Sequence, residues 1–448
     1  MDQKGSAMAL GTENVWKLLL QYAIPSVIAM TASSLYNIID SIFIGQGVGA
    51  LAISGLAITF PLMNLGAAFG SLVGVGAATL MSLRLGQKDY STANNILGNV
   101  FVLNLIFGIT YSAVVLLFLD PILIFFGAST DTLPYAREYM FVILLGNVVT
   151  HLFLGLNALL RATGNPQKSM IATILSVVIN VALAPIFIYS FGWGISGAAL
   201  ATVIAQSVML MWQIKLFSNK QHFIHLQKGI FRLKRRIVTD SLSIGLAPFL
   251  MNAVSCVIVI VVNKSLIKYG GDLDVGAYGI INRVAFLFVM IVMGLTQGMQ
   301  PIVGYNFGAK QIDRVNKALK YTIILATVVM TLGFLISQLL PHAVASVFTK
   351  DNTLIDLAAT GLRIVFLAFP IIGVQMVTGN FFQSIAMPNK AIFISLSRQL
   401  LFLLPGLLIL PPLLGSKGVW FSFPVADLLS SIIAITMLVK HYRKSNLY

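Results

Sequence analysis

The sequence predicts an all-α integral membrane protein, with twelve transmembrane helices in two pseudo-symmetric six-helix lobes. Three observations carry this reading. The 448-residue chain is 58% hydrophobic and only 10% charged, whereas ordinary soluble domains are about 25% charged. Its apolar residues gather into runs long enough to cross ~30 Å of hydrocarbon as helices. The second half of the chain repeats the first. The runs do not alternate apolar with polar, so they are not barrel strands, and helices are the other way to satisfy a backbone in lipid.

In order, the runs cover 15–40, 52–80, 93–119, 135–160, 168–190, 194–217, 240–267, 277–302, 318–341, 356–384, 390–412 and 417–440. Turn formers punctuate them, as at Gly164-Asn165-Pro166, Gly192-Trp193-Gly194, Gly270-Gly271 and Pro411-Pro412. The N-terminus is polar and the first run is too long for a cleavable signal peptide. One set of connections is basic: Arg84 and Lys88, Arg161 and Lys168, Lys215 to Arg236, Lys310 to Lys320, and Lys390. The chain ends join it through Lys4, Lys17, Lys440, Arg443 and Lys444, while 43–51, 120–134 and 190–194 hold no Lys or Arg. The positive-inside rule places both termini in the cytoplasm. The net charge of +15 then serves orientation and attraction to anionic lipid rather than nucleic-acid binding. The single Cys256 excludes an intramolecular disulfide and a cysteine metal cluster.

Residues 218–239 form a basic cytoplasmic linker between an N-lobe (1–217) and a C-lobe (240–448). Leu159–Lys168 aligns with Phe381–Lys390, and Leu85–Lys88 with Phe307–Lys310, both at a shift of 222. Pro25 aligns with Pro248 with one residue more, and Gly197 with Gly418 with one fewer. Six helices per copy is an even number, so the copies enter from the same side. They are parallel repeats about an axis along the membrane normal, and a path between two rocking lobes is the natural mechanism.

Asp40 closes the first uncharged run. A carboxylate within hydrocarbon costs several kcal/mol and is a functional candidate; the bland reading is a helix-end residue facing headgroups. Ser33, Tyr36, Asn37 and Asp40 fall at i, i+3, i+4 and i+7, one helical face. On the fifth helix Thr173, Ser176 and Asn180 share a face continued by Ala184; on the sixth, Ala198, Thr202 and Gln206 do. With Asp40 these make an oxygen-rich cluster, suited to a proton or Na⁺, if helices one, five and six meet. Ordinary interhelical hydrogen bonding fits Asn180 and Thr202 equally well. In the second half Asn263 stands where Asp40 stands in the first, and the charges are Arg398 and Asp427. Either these two pair, or Arg398 snorkels to the cytoplasmic side. Gly66, Gly70 and Gly74 repeat every four residues and read as helix packing, and His151 and His342 read as packing residues. Zincin, serine-hydrolase and P-loop signatures are absent from the sequence, so the chain reads as a non-enzyme driven by an ion gradient, with no cofactor beyond H⁺ or Na⁺.

Four stretches together carry a resemblance over nearly the whole chain: Leu35–Gly45, Arg161–Asn165, Tyr278–Arg283 and Gln297–Ala309. The chain resembles the multidrug and toxic compound extrusion (MATE) transporters, most of all their MepA-like bacterial branch. The resemblance implies export of cationic or amphipathic small molecules in exchange for H⁺ or Na⁺. It implies that Asp40 binds the coupling cation, with Asn180 and Thr202 as partners and Tyr36 beside them, and that Na⁺, if used, sits at Asp40, Asn180 and Thr202. Tyr36 and Asn157 match residues lining the N-lobe cavity, and Ser33, Asn37 and Gln206 extend that set by their helical faces. Many relatives carry an Asp where this chain has Ala184. One carboxylate fewer weakens a Na⁺ site, so the expectation is proton coupling. The alternative within the superfamily is a lipid or lipid-linked oligosaccharide flippase. An embedded enzyme or a channel is the alternative outside it. A monomer among membrane lipids is the expected state.

Overall fold

The computed structural model describes residues 3–445. The side chains of residues 3–7, 37, 38, 50, 272, 444 and 445 lie outside it, so the readings placed on Lys4, Asn37 and Lys444 do too. Twelve helices are long and apolar enough to cross a membrane: α1 Val15–Gly47, α2 Leu51–Gly86, α3 Tyr90–Leu117, α4 Leu133–Ala162, α5 Pro166–Ser190, α6 Gly194–Phe217, α7 Arg235–Tyr269, α8 Leu273–Gly308, α9 Ile312–Leu339, α10 Asn352–Ser384, α11 Pro388–Leu414 and α12 Ser416–Arg443. The short helices Gln3–Thr12, Leu119–Phe125 and Pro341–Ser346 lie between or before them. No strand occurs among the described residues. Apolar side chains point outward around the bundle, with Leu117 77% and Phe125 82% exposed, as expected where hydrocarbon is the solvent.

Local chemistry explains the ends. Asn14 caps α1 by accepting from the Trp16 and Lys17 N–H groups, and Asp89 caps α3 by accepting from Thr92 N–H. Pro166 and Pro388 open α5 and α11, where a missing N–H costs nothing. Several helices run longer than the sequence expectation, and two of the differences bear on the reading. α1 continues past Asp40 through Ile42, Phe43 and Ile44 to Gly47, so Asp40 lies two turns inside the helix rather than at its end. α7 begins at Arg235, within the stretch read as linker.

The repeat is visible in the backbone. Left-handed residues recur at the 222-residue shift: Gly49 (φ 115°) with Gly271 (φ 108°), Lys88 (φ 61°) with Lys310 (φ 60°), and Gly164 (φ 90°) with Ala386 (φ 55°). The hydrogen bonds recur with them. Asn165 N–H bonds Leu160 O and Met387 N–H bonds Phe382 O, both at 2.8 Å. Each half therefore ends its fourth helix with the same left-handed cap.

Within the first half, α2 packs along α4, α1 along α5, and α5 along α6. The glycine stripe serves the first contact: a Cβ on Gly74 would stand 3.0 Å from Gly155 Cα. The halves meet through α2 against α7 and through α8 against α1 and α2. These contacts lie in the helix halves nearer the chain ends. A Cβ on Gly86 would overlap Tyr305 O, and one on Gly245 would overlap Leu72 O. Gln300 donates to Thr79 Oγ1 at 2.5 Å, and Phe69 meets Phe249 at 4.8 Å between centroids. The face carrying both chain ends is thus sealed. Arg314 tightens it by donating to Leu10 O (2.9 Å) and Glu13 O (2.7 Å), with Asn306 also donating to Leu10 O (2.9 Å). The interhalf segment is itself tied down. Asn94 brackets Phe223 O and His225 N–H, and Asn99 brackets Arg232 O and Lys234 N–H.

Candidate functional site

The site is built where α1, α5 and α6 meet. Asp40 is 4% exposed, and its Oδ1 has no hydrogen-bond partner. No Lys, Arg or His among the described residues forms an ion pair with it. Among the described residues the ion pairs are Arg137 with Asp120, His342 with Asp356, and Arg398 with Asp427. A buried carboxylate without a partner is costly in its charged form.

One turn before Asp40, the Tyr36 hydroxyl lies 2.6 Å from Thr202 Oγ1 on α6. Asn180 on α5 donates Nδ2 to the same oxygen at 2.9 Å, and that hydroxyl reaches Ala198 O at 3.3 Å. Tyr36, Asn180 and Thr202 thus share one hub, and Asp40 stands on the same face of α1 as Tyr36. Tyr139 on α4 is 1% exposed and close enough to interact electrostatically with both Tyr36 and Asp40. Sequence reasoning did not single it out, because a lone phenol in an apolar run carries no spacing signal.

Two of the predicted cavity residues belong to other contacts. Gln206 Oε1 accepts from Thr150 Oγ1 on α4 at 2.5 Å. Asn157 donates to Thr173 Oγ1 at 3.0 Å and accepts from Gln213 Nε2 at 3.4 Å. Thr173 and Asn180 are seven residues apart on α5, about 10 Å along a helix axis, so Asn157 heads a second network nearer the sealed face. Ser33 is half-buried on the Asp40 face. Ala184, one turn beyond Asn180, is fully buried among Ile188, Ala198 and other apolar side chains and contributes no side-chain oxygen.

The oxygens suit a proton better than a metal ion. Hard cations want several free oxygens, and Thr202 Oγ1 already has three contacts. Among the described residues no three His, Cys, Asp or Glu side chains gather at one point, so any cation here relies on Asp40 and neutral groups.

The C-lobe is built differently. Arg398 Nε donates to Asp427 Oδ1 at 2.5 Å, which joins α11 to α12. The Asp427 side chain is 1% exposed and that of Arg398 28%. The two charges pair, as the first of the two sequence readings has it. Arg398 sits in a π-helical segment, Ser397–Leu403, a local expansion often found at functional sites.

The MatE family profile matches residues 25–186 and again 244–408, most of the chain. The chain belongs to the MATE family. Members of this family are transporters, so the protein is not an enzyme, and its twelve apolar helices make it a multi-pass membrane protein. The multidrug export protein MepA of Staphylococcus haemolyticus (strain JCSC1435) is 28% identical over 422 residues, covering 94% of this chain and 93% of that one. MepA of Staphylococcus aureus (strain MSSA476) is 27% identical over 424 residues, with 95% and 93% covered. Among solved structures, the MATE multidrug transporter DinF-BH superposes with a TM-score of 0.89 at 35% identity over 96% of each chain. An outward-facing multidrug resistance MATE transporter of the MOP superfamily superposes at 0.91 and 25% identity, covering 100% and 99%. Each profile match of this MATE chain falls in one half, as the backbone repeat does.

Proposed function

We propose that this MATE protein exports cationic or amphipathic small molecules from a bacterial cytoplasm across the inner membrane, in exchange for protons. The single observation that carries the reading is Asp40: a buried carboxylate with no ion-pair partner among the described residues, two turns inside a membrane-spanning helix and one turn from Tyr36 of the Tyr36–Asn180–Thr202 hub. Neutralising it with a proton or with a cationic drug relieves the same cost, so the two ligands compete for one charge. Each then shifts the lobe equilibrium by its differential affinity for the two arrangements. The words multidrug export in the names of the MepA relatives support drug export. The positive-inside distribution supports cytoplasmic termini; on that orientation the contacts at the chain-end face close the cytoplasmic side.

Proton coupling is favoured over Na⁺ because Ala184 removes an oxygen donor and Thr202 is already engaged. The flippase alternative wants several basic side chains for a pyrophosphate headgroup, and the hub holds none. The test is efflux of a fluorescent lipophilic cation from proteoliposomes, with a pH gradient and a Na⁺ gradient imposed separately. Export on the pH gradient alone is expected. Export on Na⁺ alone would overturn the coupling assignment, and no export on either gradient would overturn the antiporter.

A further inference from the structure

We propose that the segment joining the two halves, together with the first turn of α7, is a docking site for anionic phospholipid. Arg232, Arg235 and Arg236 meet the headgroup phosphates. Phe231 and Leu233 enter the boundary between headgroups and acyl chains.

The argument begins with charge. From Lys215 to Thr239 the chain carries seven Lys or Arg and no Asp or Glu. A cluster of that size beside a membrane-spanning helix attracts anionic lipid. Orientation alone also explains a basic loop, but an orientation signal needs no fixed geometry. This segment has one. Asn99 on α3 donates to Arg232 O at 3.1 Å and accepts from Lys234 N–H at 2.9 Å. A Cβ on Gly98 would stand 2.2 Å from Ile230 O, so the segment lies directly on the α3 backbone. Ile230 is buried, and residues 231–236 are all exposed. Among the described residues, none of the basic side chains of 228–236 takes part in an ion pair. Asp89 lies within electrostatic reach of Lys234, and Asp240 follows one turn after Arg236, so the patch keeps a net positive charge.

Depth selects the partner. α3 has 28 residues, about 42 Å of helix against ~30 Å of hydrocarbon. Its far end is apolar, with Leu117 exposed, whereas it begins with the polar stretch Tyr90-Ser91-Thr92-Ala93-Asn94-Asn95. The excess of about 12 Å therefore lies at its start. Asn99 stands nine residues in, about 14 Å along the axis, which puts the tie point at the hydrocarbon boundary. There Phe231 meets Phe101 edge-on at 6.1 Å between centroids. Phe231 is still 45% exposed, and Leu233 44%. Exposed apolar side chains set between basic ones at this depth match a layer of anionic headgroups. A soluble polyanion would leave the two apolar side chains in water. Because the tie belongs to α3, lipid bound here holds the N-lobe at the point where the chain crosses to α7.

The test uses the full-length protein in phosphatidylcholine nanodiscs. Leu233→Cys in a Cys256→Ser background places the only thiol in the segment, where it carries a fluorophore. Phosphatidylglycerol or phosphatidylcholine bearing a nitroxide near the headgroup is then included at equal mole fraction. The expected result is quenching at least about twofold stronger by the labelled phosphatidylglycerol. Adding Arg232→Gln, Arg235→Gln and Arg236→Gln together should abolish the preference and leave quenching by labelled phosphatidylcholine unchanged, which shows the segment still in place. Lys317→Gln, Lys320→Gln and Lys440→Gln together remove three exposed charges elsewhere on the chain-end face and should keep the preference. Equal quenching by the two lipids before any charge is removed, or the same loss of preference in both triple variants, overturns the site. Weak quenching by either lipid, as a covering protein or a second copy of the chain would give, overturns it too. The nanodisc offers the same lipid on both faces and holds no gradient, so the outcome is independent of the orientation and export readings above.

Discussion

The hydroxyl of Tyr36 stands 2.6 Å from that of Thr202, joining α1 to α6 one turn from Asp40. Asn180 donates to the same threonine oxygen at 2.9 Å. Thr202→Val keeps the shape but removes the acceptor, which strands a buried amide and a phenol. The expected loss is about 1–3 kcal/mol in thermal unfolding. Drug affinity should fall in the same variant, because Asp40 loses the hub that positions its helix. A variant as stable and as tightly binding as the wild type would mean that the hub is incidental.

Arg314 ties the N-terminal segment to the C-lobe through Leu10 O and Glu13 O and also donates to Asn306 Oδ1 at 2.8 Å. In the alternating-access cycle proposed above this face must open, so these bonds favour the arrangement described here. Arg314→Ala is expected to shift the lobe equilibrium toward the opposite opening. The readout is the distance between spin labels placed on the ends of α2 and α8 at the sealed face, which should gain a longer component. An unchanged distance distribution would remove Arg314 from the seal.

Ala386 adopts φ 55°, where its counterpart Gly164 has φ 90°. A side chain in the left-handed region costs about 1–2 kcal/mol, partly offset by the greater chain entropy of glycine when unfolded. Ala386→Gly should therefore stabilise the protein by about 0.5–1 kcal/mol. A lower unfolding temperature for this variant would contradict the backbone assignment.

Asp89 caps α3 outside the membrane-spanning segments, and hydrogen bonds from Thr92, side chain first and backbone second, hold its carboxyl below its ordinary value of 3.8. A carboxyl depressed by folding contributes stability that is present above the unfolded value and lost as pH falls through the folded one. Asp89→Ala is expected to cost about 1 kcal/mol at neutral pH. The difference from wild type should shrink below pH about 4, as measured by thermal unfolding across pH. A difference that stays constant down to pH about 3 would mean that the cap acts without its charge.

Much of the fold is legible in the sequence because hydrocarbon imposes one strong rule on it. Twelve apolar runs and their basic flanks follow from that rule, and two aligned stretches with two further aligned residues expose the repeat. The hub is legible too, since the helical period alone puts Tyr36 and Asp40 on one face and Asn180 and Thr202 on others. The rotation of each helix against its neighbours is not legible. It decides that Gln206 meets Thr150, that Asn157 meets Thr173 and Gln213, and that Tyr139 comes near Asp40. The position of Asp40 within α1 is obscured by the residue itself, because a carboxylate interrupts the hydropathy signal that defines a helix end.

The most direct test of Asp40 as the exchange point is proton release on drug binding. The solubilised protein is mixed with a permanently charged lipophilic cation in weakly buffered solution near neutral pH, with a pH-sensitive dye as reporter. Exchange at one carboxylate predicts the release of up to one proton per drug bound, and none from Asp40→Asn, which should still bind the drug. Drug binding without proton release by the wild type, or equal release by the variant, would contradict it.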